Sequence, residues 1–215
     1  IDLNPLAIFL ANVKTTEISQ SALTREYFKL LERIKNIKRS EIKQPKFNNL
    51  DFWFKESVII ELARIKKAIK DTTDKKMQNF FLVGFSETAR LASNTKNGEF
   101  KLVRMKKEKL DKHSPNVLEI FKKRTENNIK VMGDFDRDVD KKTWTKIIYG
   151  DSSKHNLAKE NSIDCIITSP PYGDSRTTVA YGQFSRLSAQ WIDIFEDPNK
   201  ASGVDNELLG GKATK

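Results

Sequence analysis

The sequence is poor in the residues that build disulfides, metal sites and membrane spans. Its 215 residues include one cysteine, Cys165, and two histidines. A single cysteine excludes an internal disulfide, and two distant histidines give no metal-ligand pattern, so we predict no metal site. No apolar run approaches the roughly 18 residues that a membrane span needs. With so little cysteine, we expect a cytoplasmic protein.

Glycine is scarce near the start of the chain. There are nine glycines, and the first of them is Gly84. In nucleotide-binding α/β folds, a Gly-rich turn comes about 20 residues before an acidic residue that binds ribose hydroxyls. No Gly-x-Gly turn of this kind occurs near the beginning of this sequence.

The most informative stretch is residues 164–173, which read Asp-Cys-Ile-Ile-Thr-Ser-Pro-Pro-Tyr-Gly. The β-branched run from Ile163 to Thr168 predicts a buried strand, with Cys165 in the core. Pro170 and Pro171 would end this strand, because proline has no N–H to donate to a sheet. We therefore expect a rigid turn at the carboxyl end of a strand, where open α/β sheets bind their ligands.

Ser169-Pro170-Pro171-Tyr172 resembles the catalytic motif of the DNA amino-methyltransferases. These enzymes transfer a methyl group from S-adenosylmethionine (AdoMet) to an exocyclic amino nitrogen of a base. The resemblance implies AdoMet as the cofactor, double-stranded DNA as the substrate and these four residues as the catalytic site. Tyr172 would stack on a flipped base, while the Ser169 hydroxyl and the Pro170 carbonyl would accept its amino hydrogens. In this family, Ser-Pro-Pro-Tyr is most often linked to N4 of cytosine.

Two acidic residues match cofactor-binding positions of the same family. Asp2 occupies the place of the acid that follows the second strand and binds ribose, and Asn4-Pro5 then predicts a helix start. Asp151 follows a short apolar run that ends at Gly150. In the family, an Asp at the corresponding position after the third strand contacts adenine. Because the glycine loop is lacking, we expect a fragment, or a chain whose loop comes from a missing N-terminal segment or subunit.

The resemblance implies an α/β fold, a partial Rossmann-like AdoMet-dependent methyltransferase core with a large helical insertion. We assign residues 1–18 and 143–195 to the core, 19–142 to the insertion, in which we expect the DNA-contacting region, and 196–215 to a flexible tail. Apolar residues at helical spacing support the insertion, and Gly84 would allow two helices to approach closely. Ser114-Pro115 predicts the start of a later helix.

Positive charge is concentrated in the predicted insertion. The whole chain has a net charge of +10, and residues 19–142 hold 30 Lys and Arg against 18 Asp and Glu. Such a segment suits a phosphate backbone. We predict phosphate contacts by Arg90, Lys96, Lys101, Arg104, Lys106 and Lys107. Arg176 and Tyr181, which follow the motif, would contact the flipped nucleotide or its flanking phosphates.

Three other functions stay open beside N4-cytosine methylation. The first is methylation of N6 of adenine, with the same fold and cofactor. The second is methylation of a guanine amino group in tRNA, against which Ser169 counts because those enzymes usually carry Asp-Pro-Pro-Tyr-Gly. The third is a non-catalytic nucleic-acid-binding subunit, which the lack of a glycine loop favours. A restriction-modification enzyme acting on N4 of cytosine is the function that the motif favours.

Overall fold

The computed structural model describes residues 1–96, 98–99, 101–140, 142–152, 154, 158–168 and 181–207. These residues are mainly helical. The α-helices are α1 Pro5–Lys14, α2 Gln20–Asn36, α3 Leu50–Trp53, α4 Glu56–Lys70, α5 Lys75–Ala92, α6 Lys107–Lys112, α7 Val117–Asp138, α8 Tyr181–Trp191 and α9 Val204–Glu207. Two 3₁₀ turns span Arg39–Glu41 and Pro198–Gly203.

Side-chain caps set where several helices begin. At α1 the Asn4 side chain accepts the Leu6 N–H at 3.0 Å, and Pro5 occupies the first helical turn, as predicted. At α7 the cap is Asn116, whose side chain accepts the Glu119 N–H at 3.1 Å. That helix therefore begins after Asn116 and not at Ser114-Pro115, because the amide of Asn116 satisfies a first-turn donor.

Helix α5 lies at the centre of the core. It packs against α1, α4, α7 and α8, while α2 packs against α4 and α7. Phe81 and Phe85 of α5 are fully buried. Gly84 faces α7, where an added Cβ would lie 2.9 Å from Thr125 Oγ1. The close helix contact predicted at Gly84 is thereby confirmed.

The prediction of a Rossmann-like α/β core was wrong. Within the described ranges there is no strand or sheet, and the only ladder contacts are two isolated bridges, Asp2 with Tyr149 and Thr95 with Arg104. The run ending at Thr168 has no strand partner there, and Ile166 and Ile167 are 81% and 94% exposed. β-branched residues favour a strand only when another strand pairs with them, so the local pattern was not sufficient. Cys165 is likewise exposed and not in the core.

Contacts between helices cross the predicted domain boundaries. Helix α1, which precedes residue 19, packs against α5 and α8, and α5 packs against α8. Residues 198–207, predicted as part of a flexible tail, form a 3₁₀ turn and α9, which pack against α8. Ala201 and Val204 are buried there. The division of the chain into core and insertion stays a prediction.

Both ends of α8 are attached to neighbouring parts of the protein. At its start, the Gly182 N–H donates to Asp205 Oδ1 at 2.6 Å. Towards its end, the Ser188 hydroxyl donates to the Ser86 carbonyl of α5 at 2.8 Å. The indole of Trp191 is fully buried and meets three phenyl rings edge-on, those of Phe47, Phe54 and Phe85. The position of α8 is therefore set by its contacts with α5, with α9 and with the buried aromatic rings.

A charge cluster forms where α8 ends beside α4. Asp193 has a left-handed backbone (φ 57°), and its carboxylate pairs with Lys66 Nζ at 2.7 Å and Lys70 Nζ at 3.4 Å. Burial lowers the pKa of Lys66, while Asp193 opposes this shift. The carboxylate therefore compensates an ammonium group that has lost most of its contact with water.

We expect Asp193→Asn to lower the free energy of unfolding by about 1–2 kcal/mol at neutral pH. Asparagine tolerates the left-handed backbone, so the effect reports the lost carboxylate. The pKa of Lys66 should then fall further. Since the unfolded chain binds the proton more tightly, stability rises with pH between the folded and unfolded pKa of Lys66, and the deficit should shrink at alkaline pH. Urea unfolding followed by circular dichroism measures both effects.

The matched control is Asp71→Asn, which removes an exposed ion pair between Asp71 and Lys67 Nζ at 2.8 Å. Exposed pairs at this helical spacing contribute about 0.3–0.5 kcal/mol. Equal losses in the two variants would contradict the special role of Asp193.

No helix in the described part of the chain is both long enough and apolar enough to cross a membrane.

Candidate functional site

The two acids predicted to bind the cofactor are brought together by one backbone bridge. The Asp2 N–H donates to the Ile148 carbonyl at 3.1 Å, and the Gly150 N–H donates to the Asp2 carbonyl at 3.0 Å. This pattern is a parallel bridge between Asp2 and Tyr149. Asp151 follows directly after Gly150, so the two acids lie at one place although 149 positions separate them in the sequence.

The carboxylate of Asp2 is exposed beside the first turn of α1. Its Oδ1 accepts the Asn4 N–H at 2.6 Å, whereas Oδ2 accepts no hydrogen bond within the described ranges. Asn4 also donates from Nδ2 to Ser185 Oγ of α8 at 3.3 Å. Asp2 is thus held in place through one carboxylate oxygen and through its backbone, while the residue as a whole stays exposed.

Asp151 is oriented by its own turn. Its Oδ2 pairs with Lys154 Nζ at 3.2 Å, and its carbonyl accepts the Lys154 N–H at 3.0 Å. Tyr149 is half exposed, forms the bridge with Asp2 and precedes Asp151 by two residues. Carboxylate oxygens accept hydrogen bonds from hydroxyl and amino groups. Both acids therefore offer acceptors of the kind that ribose hydroxyls and an adenine amino group would need.

The predicted catalytic residues Ser169, Pro170, Pro171 and Tyr172 lie outside the described residues, as does Arg176. The described chain ends at Thr168 before the motif and resumes at Tyr181, the first residue of α8. Within the described parts of the chain, no group of three or more His, Cys, Asp or Glu could hold a metal ion.

The predicted DNA-contacting residues differ in how much they are tied to the protein. Lys101, Lys106 and Lys107 are exposed, and Lys96 pairs with Glu99. Arg104 donates from Nε to the Phe52 carbonyl at 3.0 Å, and its guanidinium carbon lies 4.3 Å from the centre of the Phe52 ring. Arg90 stacks in the same way on Phe184, at 5.0 Å.

The basic segment from residue 101 to residue 107 contacts the start of α8 through Leu102. The Leu102 N–H donates to Gln183 Oε1 at 3.4 Å, and Arg90 of α5 covers Phe184 of α8. Tyr181, predicted to contact the nucleotide, is half exposed in the same first turn. Predicted nucleic-acid contacts from three separate segments therefore lie around the N-terminal turn of α8.

Sequence reasoning missed Phe52 and Phe184 on this surface. Phenylalanine at helical spacing is usually part of a core, and both residues have core neighbours nearby in sequence. The signal that distinguishes Phe184 is its spacing of three from Tyr181, which puts two aromatic rings on one face of α8. Phe52 had a weaker signal, its position in a run of three aromatic residues that cannot all face the core.

Comparison with known proteins identifies a relative of this chain. No family model matches the chain, and no solved structure matches it. The chain is 44% identical to the type II methyltransferase M.MvaI of Kocuria varians over 229 positions, which cover 100% of this chain and 50% of that protein. The chain thus spans about half the length of the curated relative it matches.

This similarity gives no support for a separate subunit that carries the glycine loop. It does confirm the family that the sequence predicted: over its whole length the chain is similar to a type II methyltransferase, and it belongs to the DNA methyltransferases.

Proposed function

We propose that this chain is part of a restriction-modification enzyme that transfers a methyl group from AdoMet to N4 of cytosine in DNA. The observation that carries the proposal is a Ser169-Pro170-Pro171-Tyr172 motif inside a chain that is similar to a type II methyltransferase along its whole length. Of the versions of this motif, the one beginning with serine favours cytosine N4 over adenine N6.

The chemistry assigned to the motif is the placement of an amino group. A base inside a duplex hides its amino nitrogen, so the nucleotide has to be flipped out. Tyr172 stacks on the flipped ring, and the Ser169 hydroxyl and Pro170 carbonyl accept the amino hydrogens. These contacts hold the nitrogen lone pair in one direction, and placement of this kind can supply several kcal/mol of the rate enhancement.

AdoMet, when bound, supplies the methyl group. We assign its binding to Asp2 and Asp151, with Asp2 accepting hydrogen bonds from ribose hydroxyls and Asp151 from the adenine amino group. Support comes from the bridge between Asp2 and Tyr149, which brings the two acids close together, and from the exposure of Asp2.

DNA binding is assigned to the exposed basic segment beside α8. We expect the triple variant Lys101→Gln, Lys106→Gln and Lys107→Gln to bind DNA more weakly and to depend less on salt. Each phosphate contact contributes about 0.9 to the slope of log K against log salt, so the slope should flatten by up to about 2.7. Fluorescence anisotropy with labelled duplex DNA over a range of salt concentrations measures the change.

The matched control removes the same charge elsewhere. Lys29→Gln, Lys123→Gln and Lys130→Gln neutralise three partly or fully exposed lysines of α2 and α7, helices that pack on α4 and α5. A basic surface without any special location would give the same slope in both triple variants. Unchanged affinity and slope in the first variant would remove the assignment.

The decisive experiment for the reaction is product analysis. The enzyme is incubated with AdoMet and with DNA or tRNA, and the nucleosides are separated and identified by mass spectrometry. N4-methylcytosine is the expected product. N6-methyladenine would move the assignment to adenine, and a methylated guanine in tRNA would move it to RNA. No product and no AdoMet binding would instead favour a non-catalytic subunit.

A further inference from the structure

We propose that Phe52 and Phe184 form a stacking platform for unpaired bases of DNA, an inference that rests on the function proposed above. The platform consists of these two rings and the arginines that cover them, Arg104 and Arg90. Phe52 is 44% exposed and Phe184 is 47% exposed. Exposing large apolar rings to water is unfavourable, and a partner that covers the rings removes this cost.

Each ring already has an arginine on it. The guanidinium carbon of Arg104 lies 4.3 Å from the centre of the Phe52 ring, and that of Arg90 lies 5.0 Å from the centre of the Phe184 ring. The hydrogen bond from Arg104 Nε to the Phe52 carbonyl further fixes the first pair. Trp53 also packs against the Phe52 ring at a right angle, with ring centres 4.8 Å apart. Both phenylalanines nevertheless keep nearly half of their surface exposed, and we assign that exposed part to a flat base. Proteins that bind single strands combine aromatic rings with cations in this way.

One hydrogen bond connects the segment that carries Arg104 with the helix that carries Phe184. Leu102 donates its N–H to Gln183 Oε1 of α8 at 3.4 Å, and Arg104 lies two residues further along the same segment. Tyr181 is half exposed one turn before Phe184, so two aromatic residues share a face of α8. The platform therefore lies at the helix that follows the Ser-Pro-Pro-Tyr motif in the sequence.

Charge complementarity identifies the partner. Lys101, Lys106 and Lys107 are exposed near the platform in sequence, and no ion pair joins them to an acid of the described chain. These cations suit phosphates, whereas the rings suit bases. A base in a closed duplex keeps both its faces in the stack. Exposed rings together with unpaired cations therefore fit a strand whose bases are unpaired, including the bases beside a flipped nucleotide.

The experiment compares two probes of equal charge. One is an oligothymidylate of about 20 nucleotides, and the other is an abasic strand of the same length, each labelled for fluorescence anisotropy at one ionic strength. We expect Phe184→Leu, and separately Phe52→Leu, to bind the oligothymidylate about tenfold more weakly. Leucine keeps the apolar volume and removes the flat ring. Affinity for the abasic strand should be the same in both variants as in the parent chain.

Two further variants control for structure. Phe184→Trp keeps a flat ring and should keep the affinity for oligothymidylate. Phe28→Leu removes an exposed ring from α2, which packs on α4 and α7, and should change neither affinity. The platform is refuted if Phe184→Leu binds oligothymidylate like the parent chain, or loses both probes equally.

This test is separate from the test of the reaction, because it needs neither AdoMet nor methyl transfer. Stacking without methyl transfer would overturn the proposed function and leave the platform in place. Methyl transfer without any preference for bases over abasic strand would overturn the platform alone.

Discussion

Tyr172→Ala is expected to lower the rate of methyl transfer at least about 100-fold in the enzyme that carries this chain. The aromatic ring is the surface on which the flipped base would rest, and small misplacements of a reacting group can cost about this factor. We expect the fold to survive in this variant, so stability is measured beside the rate. Transfer of labelled methyl groups to DNA gives the rate, and circular dichroism during urea unfolding gives the stability.

Tyr172→Phe is the matched comparison, because it keeps the ring and removes only the hydroxyl. We expect most of the activity to remain in this variant, since a phenyl ring stacks on a base as a phenol does. Full activity in Tyr172→Ala would contradict the stacking role. Equal loss in both variants would indicate that the hydroxyl group, and not the ring, is what the reaction needs.

Trp191→Ala should have the largest effect on stability, a loss of about 3–5 kcal/mol in the free energy of unfolding. The indole has no exposed surface and lies between Phe47, Phe54 and Phe85, with ring centres 5.5–6.1 Å from its own. Alanine would leave a cavity that these rings could not fill without moving. Small domains have only about 5–15 kcal/mol in total, so the loss would be a large part of it.

Two comparisons make this prediction sharper. Trp191 Nε1 is buried and has no hydrogen-bond partner among the described residues, so Trp191→Phe removes an unsatisfied donor together with some apolar contact. We therefore expect it to be much milder than the alanine variant. Trp144 is 81% exposed, and Trp144→Ala should change stability by less than about 0.5 kcal/mol. A similar loss at positions 144 and 191 would contradict the assigned core.

The helices were predictable because their signals are local. Apolar spacing of three and four residues places Leu23, Tyr27, Leu30 and Ile34 on one face of α2, and all four are buried. Asn4-Pro5 likewise contains both the cap and the first-turn residue of α1. The start of α7 was misplaced because two caps compete within three residues, and the choice between them depends on which side chain reaches a free N–H.

The fold class was not predictable from the same kind of signal. Ile163–Thr168 is as β-branched as a buried strand, yet the described chain offers it no pairing partner and leaves Ile166 and Ile167 in water. Strand formation depends on residues that are distant in sequence, whereas a helix satisfies its own backbone. The resemblance to a family supplied the α/β expectation, and a motif of four residues does not determine the structure of the rest.

The candidate site was predicted unevenly, for a related reason. The resemblance to the family led to Asp2 and Asp151, charge led to the exposed lysines, and all these assigned roles stay predictions. Phe184 was missed because its exposure depends on how α8 packs on α5. Its spacing of three from Tyr181 was a weak signal, whereas Leu187 and Trp191, three and seven residues later, are buried and favour a core position.

The attachment of α8 at both ends has a consequence for heat inactivation. Asp205 holds its first turn, and Trp191 and Ser188 hold its last turns in the same core that α5 forms. A helix fixed in this way has no independent melting transition, because it can leave only when the core opens. The nucleic-acid binding that we propose for this helix should then disappear at the temperature where the packed helices unfold, in one cooperative step.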